Sequence, residues 1–118
     1  MTEDDLKDRT KAFALRVIKL VQSLPSTPLA KHIGGQLLRC GTSVAANYRA
    51  ACRGKSRADF IAKMGIVEEE ADESAFWMEM LVETNLTKVD LVGDLLNEAN
   101  QLVGIFVSSI NTARGRKR

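Results

Sequence analysis

QLLRCGTSVAANYRAACRGKSRADFIAKMGIVEEEADESAFW, residues 36–77, decides the fold. It reads as two long helices joined by the turn Gly54-Lys55-Ser56-Arg57. Ile33, Leu37, Cys40, Val44, Tyr48 and Ala51 recur at the three- and four-residue steps of one helix face. Phe60, Met64, Val67, Ala71, Met78 and Leu81 do the same on the second helix. Gly54 is the expected left-handed residue after the first helix, and Ser56 with Asp59 has the spacing of an N-terminal cap for the second. Gly41 and Ala45 leave room for a neighbouring backbone. Around Ala75-Phe76-Trp77-Met78 the second helix is apolar on every side. At 100° per residue Phe76 and Trp77 fall off the stripe that holds Met78, so they and Met80 are expected at a subunit interface.

Outward from this stretch the pattern repeats. Helix one is expected over residues 4–24, with Thr2 and Asp5 at capping spacing and Pro25 as its stop. Leu6, Phe13, Val17, Leu20 and Leu24 form its apolar face, leaving Lys7, Lys11 and Lys19 towards solvent. Thr27 caps helix two over 28–53, the first of the two helices quoted above, with Pro28 at its first position; Gly34-Gly35 is a weak point that could delay the start. Helix three covers 57–84. Helix four covers 88–111, capped by Thr87 with Asp90, with Val92, Leu95, Ala99, Leu102, Phe106 and Ile110 inside. A basic tail follows over 112–118. Four amphipathic helices with short connections and no strand-period segment predict one all-α domain over 1–118, an antiparallel up-down-up-down four-helix bundle.

At 118 residues the chain can bury its own core. Apolar runs such as Ala75-Phe76-Trp77-Met78 and Ile105-Phe106-Val107 are far short of a membrane span, so no membrane partner is expected. Glu3, Asp4 and Asp5 stand where a secretory signal would be apolar. Cys40 and Cys52 lie on one helix about 18 Å apart, beyond disulfide reach. Free thiols in a reducing cytoplasm are the expectation. The net charge of +2 is unevenly spread: residues 29–57 hold six Lys/Arg and no acid, and residues 58–84 hold Lys63 against eight acids. A basic helix before an acidic one suggests mutual pairing.

Chemistry that bundles often host finds little support. A di-metal site needs carboxylates from several helices and two Glu-x-x-His pairs; the chain has one histidine, His32. Haem and zinc fail for want of ligands. His32 is two to three turns from Cys40 and Ser43 on the same helix, too far to activate either. Glu69 to Glu73 on one helix read as a solvated or ion-paired face rather than a hydrolytic pair. No glycine-rich phosphate loop is present. No catalytic residue, metal ligand or cofactor is therefore assigned, and the chain is read as a non-enzyme. Two polar groupings remain. Arg39, Ser43 and Asn47 line one side of helix two, where they could join Glu70 and Glu73 in a network that fixes register, or form a surface for assembly or a ligand. Arg49, Arg53, Lys55 and Arg57 collect at the turn, where they could complement helix ends or hold nucleic-acid phosphates.

Arg39-x-x-x-Ser43-Val44-x-x-Asn47, a basic turn, Phe60, and an acidic segment ending in Phe76-Trp77-x-Glu79 together resemble the four-helix bundle family of 23S rRNA intervening-sequence proteins. The resemblance covers helices two and three, with helices one and four matching by pattern. It implies a small bacterial bundle without enzymatic activity that assembles as a homopentamer, with ribosomal RNA or another nucleic acid as a partner. Similar proteins serve as accessory factors of diversity-generating retroelements. A scaffold that binds a protein partner, with no nucleic acid, is the alternative.

Overall fold

The computed structural model describes residues 1–115 and places four helices: α1 (Glu3–Gln22), α2 (Pro28–Cys52), α3 (Arg57–Glu83) and α4 (Val89–Ala113). Each packs on its neighbour in sequence, and α4 returns to close lightly on α1, while α1 and α3 lie across the diagonal. The result is an up-down-up-down four-helix bundle about 45 × 24 × 20 Å. The core is apolar along its whole length: Phe13 and Val17 of α1, Leu37 and Val44 of α2, Met64 and Met78 of α3, and Leu102 and Phe106 of α4 are almost fully buried. Tyr48 stacks on Phe106 with ring centroids 6.1 Å apart. Phe60 and Leu24, expected inside, are only half-buried at the bundle's edges.

The caps explain the boundaries. Thr2 and Asp5 form a reciprocal box: Asp5 N–H donates to Thr2 Oγ1 at 3.0 Å, and Thr2 N–H to Asp5 Oδ2 at 2.9 Å. α1 ends at Gln22 rather than Leu24, with Ser23 as its C-cap; Leu24 precedes Pro25, a position that disfavours helical conformation. Thr27 caps α2, which starts at Pro28 with no delay at Gly34-Gly35. Gly34 is buried instead, close under Val21 of α1 and Leu24 just beyond it. Gly54 does not take the left-handed conformation. Its role is spatial: a Cβ there would stand 3.0 Å from Ala51 O and Asp59 Oδ2.

Left-handed residues at helix ends are Asn85, φ 60°, after α3, and Gly115, φ 74°, after α4. Leu86 N–H donates to Leu81 O and Asn85 N–H to Val82 O, each at 3.0 Å, which closes the last carbonyls of α3. Thr87 N–H is drawn into the same turn, donating to Leu81 O. The expected Thr87–Asp90 cap therefore does not form; Lys88 stands at the N-cap without a side-chain bond. α4 runs on to Ala113, two residues beyond expectation. Of the basic tail, Arg114 and Gly115 form a turn, and residues 116–118 lie outside the described residues.

Candidate nucleic-acid interface

α2 delivers Arg49 and Arg53 to the same end of the bundle because they sit one turn apart, off the buried Val44–Tyr48–Ala51 line. Both are exposed, as is Lys55 in the turn. Ser56 caps α3 by accepting from Asp59 N–H at 3.1 Å, which fixes where the turn ends. Arg57, at the first position of α3, reaches sideways: its Nη1 donates to Ala113 O of α4 at 3.3 Å. It thus complements the carbonyl end of α4 while remaining exposed.

α1 adds two cations to this end. Lys7 and Lys11 line a groove of about 470 Å³ between α1 and α2, together with Asp8, Thr42, Ala45, Ala46 and Arg49. Its lining thus combines small side chains with amino and guanidinium groups. Sequence reasoning placed both lysines only towards solvent. Their four-residue spacing on α1 was visible, but that they meet Arg49 follows from the antiparallel packing of α1 on α2. The acids at this end are mostly engaged: Glu3 pairs with Lys7 at 3.4 Å, Asp59 with Lys63 at 3.2 Å, and Asp5 caps α1. The bonds from Thr2 hold the Asp5 carboxyl below its ordinary range.

Mutual pairing of basic α2 with acidic α3 is confined to one residue. Arg39 donates to Glu70 Oε2 at 3.2 Å and to Glu73 Oε2. The bond to Glu73 raises the Arg39 pKa further above its ordinary value. The charged groups of Arg49, Arg53, Lys55 and Arg57 have no carboxylate within 4.0 Å among the described residues, although the Lys55 backbone N–H donates to Asp59 Oδ2 at 3.2 Å. Ser43 and Asn47 do not reach the acids either: Asn47 Nδ2 donates to Ser43 O of its own helix at 2.9 Å. Ser74 of α3, which sequence reasoning did not single out, is fully buried and donates to Glu70 O at 2.7 Å, with Cys40 Sγ 3.3 Å away. Burial pushes the Cys40 thiol up, so it stays protonated.

Trp77 is tied to this chain's own α2 and α3. Its Nε1 donates to Glu73 Oε2 at 3.2 Å, and its ring meets His32 edge-on at 5.9 Å. Phe76 packs edge-on against Trp77 at 4.9 Å and remains 50% exposed. Met80 is half-buried against the core. Among the described residues no cluster of His, Cys, Asp or Glu is disposed to hold a metal ion, and no helix is long and apolar enough to cross a membrane.

A crystal structure of a protein of unknown function from the S23 ribosomal protein family of Bacteroides thetaiotaomicron superimposes on this bundle with a TM-score of 0.87 and 32% identity, covering 94% of this chain and 99% of that one. Among curated proteins none matches. The family model described as 23S rRNA-intervening sequence protein matches residues 3–108, from the first turn of α1 to the last turns of α4. The chain belongs to the 23S rRNA-intervening sequence protein family.

Proposed function

We propose that this protein is a non-enzymatic, self-assembling bundle that holds structured RNA by its phosphate backbone. The observation that carries the reading is the unpaired state of the turn cations. Acidic α3 takes up Arg39 and leaves the charged groups of Arg49, Arg53, Lys55 and Arg57 without a carboxylate, while Lys7 and Lys11 extend the same basic end. Cations spread over a helix end and a shallow groove suit phosphates, which need charge and no base-specific geometry. The aromatic rings near them, Tyr48 and Phe60, are buried or half-buried, so stacking on unpaired bases contributes little. Assembly, as a homopentamer, uses the α3 girdle of Phe76, Trp77 and Met80, of which Phe76 offers the most uncovered surface.

Ribosomal RNA is the natural probe, given the family description and the relative's S23 ribosomal title. Binding to a structured ribosomal RNA fragment is expected to weaken steeply with rising salt. Arg49→Ala with Arg53→Ala should lower affinity and make the log–log salt dependence shallower by about 2, roughly one for each phosphate no longer neutralised. No binding at low salt would sink the RNA reading. A Trp77→Ala chain whose assembly mass equals the wild type would remove Trp77 from the interface.

A second reading, a scaffold for a protein partner, draws on the opposite end of the bundle. There Val89 and Leu91 are 58% and 72% exposed beside a cleft lined by Leu24, Val82 and Leu86. Salt-insensitive binding, or none, to unrelated RNAs favours it.

A further inference from the structure

α1 and α3 turn two crests of opposite charge to solvent. On α1, Lys11, Leu15 and Lys19 follow at four-residue steps, about 6 Å apart along the axis, and all are exposed, Leu15 at 58%. On α3, Asp72 and Phe76 are also four residues apart, and Glu79 and Glu83 continue the line one and two turns on. All four are exposed, Phe76 at 50%. Each crest has one large apolar side chain flanked by charges of a single sign. Neither is neutralised at home. Among the described residues, Lys11 and Lys19 have no carboxylate within 4.0 Å, and Asp72, Glu79 and Glu83 have no cation.

The two crests cannot meet within one copy. α1 and α3 are diagonal in the bundle and make no direct packing, so their outer faces point apart. We infer that the α1 crest of one copy docks on the α3 crest of the next, with Leu15 against Phe76 and Lys11 and Lys19 beside Asp72, Glu79 and Glu83. An apolar centre with a charged rim is the usual build of a protein interface. Because every copy carries both surfaces, the contact is head-to-tail rather than two-fold. The turn residues Arg53, Lys55 and Arg57 stay outside it, and Lys11, which also lines the groove between α1 and α2, is the cation the two surfaces share. The inference rests on the self-assembly reading and adds which surfaces pair.

The test is charge reversal, read as mass by light scattering at low salt, with circular dichroism as the control for folding. The wild type should be a multimer. Lys11→Glu with Lys19→Glu should fall to monomer mass, and so should Asp72→Lys with Glu83→Lys. The chain carrying all four reversals should assemble again, because the complementarity is restored with signs exchanged. If either double reversal keeps the wild-type mass, the crests do not pair, though self-assembly stands. A folded four-fold variant that stays monomeric also overturns the pairing. A monomeric wild type overturns both readings, and RNA affinity, measured separately on Arg49→Ala with Arg53→Ala, is untouched by that outcome.

Discussion

Gly41 sits where α2 packs tightly on α1. A Cβ there would stand 2.8 Å from both γ-methyls of Val17, a β-branched side chain with no exposed surface and little freedom to turn. Gly41→Ala is therefore predicted to destabilise the bundle by about 1–2 kcal/mol, overpacking outweighing the gain in helix propensity. Gly104, exposed on α4 with nothing within 4 Å of its would-be Cβ, provides the contrast. Gly104→Ala should stabilise by roughly 0.5–1 kcal/mol. Denaturant midpoints moving in opposite directions at constant m check the pair. Tyr48 is predicted to make stability fall at alkaline pH. Burial, and then the neighbouring Cys52 thiol, push its phenol well above the ordinary value. The folded state thus holds this proton more tightly than the unfolded chain. Its contribution is complete below the unfolded value of about pH 10 and is lost as pH rises past it. Thermal midpoints should fall above that pH, and Tyr48→Phe should flatten the fall. At this scale the sequence was informative about occupancy and less so about geometry. Gly41 was legible as room for a neighbour and Tyr48 as a core position. Gly54 was misjudged because a glycine after a helix has two uses, positive φ and close approach, and only the folded turn distinguishes them.

The four helices were legible because each carries its own periodicity and most carry a side-chain cap close in sequence. Thr2, Thr27 and Ser56 each lie three residues from the amide they bind. The start of α4 was not, because Thr87 is claimed by the turn that closes α3, a competition that local spacing does not register. Long-range side-chain pairing was equally hidden. Arg9 of α1 donates from Nε to Glu98 Oε2 at 2.7 Å and from Nη2 to Glu98 Oε1 at 2.8 Å and Gln101 Oε1 at 3.0 Å. The pair raises the Arg9 pKa, and it spans the lightest seam of the bundle, α1 against α4. Arg9→Ala is predicted to cost about 1 kcal/mol, the scale of a partly screened bidentate pair. Hydrogen exchange should report the loss along the first half of α1, with α2 and α3 protected as before. Uniform loss of protection would mean that the seam opens only with the whole bundle.

Across the whole molecule, charge follows the pairing of helices. Residues 1–56 hold ten Lys/Arg against four acids, and residues 57–113 hold three against eleven. The imbalance was countable in the sequence, which suggested that basic α2 and acidic α3 neutralise one another. The bundle shows why they largely do not. Adjacent helices meet along apolar stripes, and their charged faces turn outward, so Arg39 alone among the α2 cations reaches across. The basic groove between α1 and α2 was likewise beyond sequence, since it needs two helices to make one wall each.

A split of this kind acts before anything touches. A molecule positive on one long side and negative on the other feels a torque, as well as a pull, in the field of a polyanion. It would rotate its α1–α2 side forward during approach and arrive oriented. The separation of charge then contributes to the rate of productive encounters, and ordinary salt, with a screening length of about 8 Å, confines that guidance to the last layer or two of solvent.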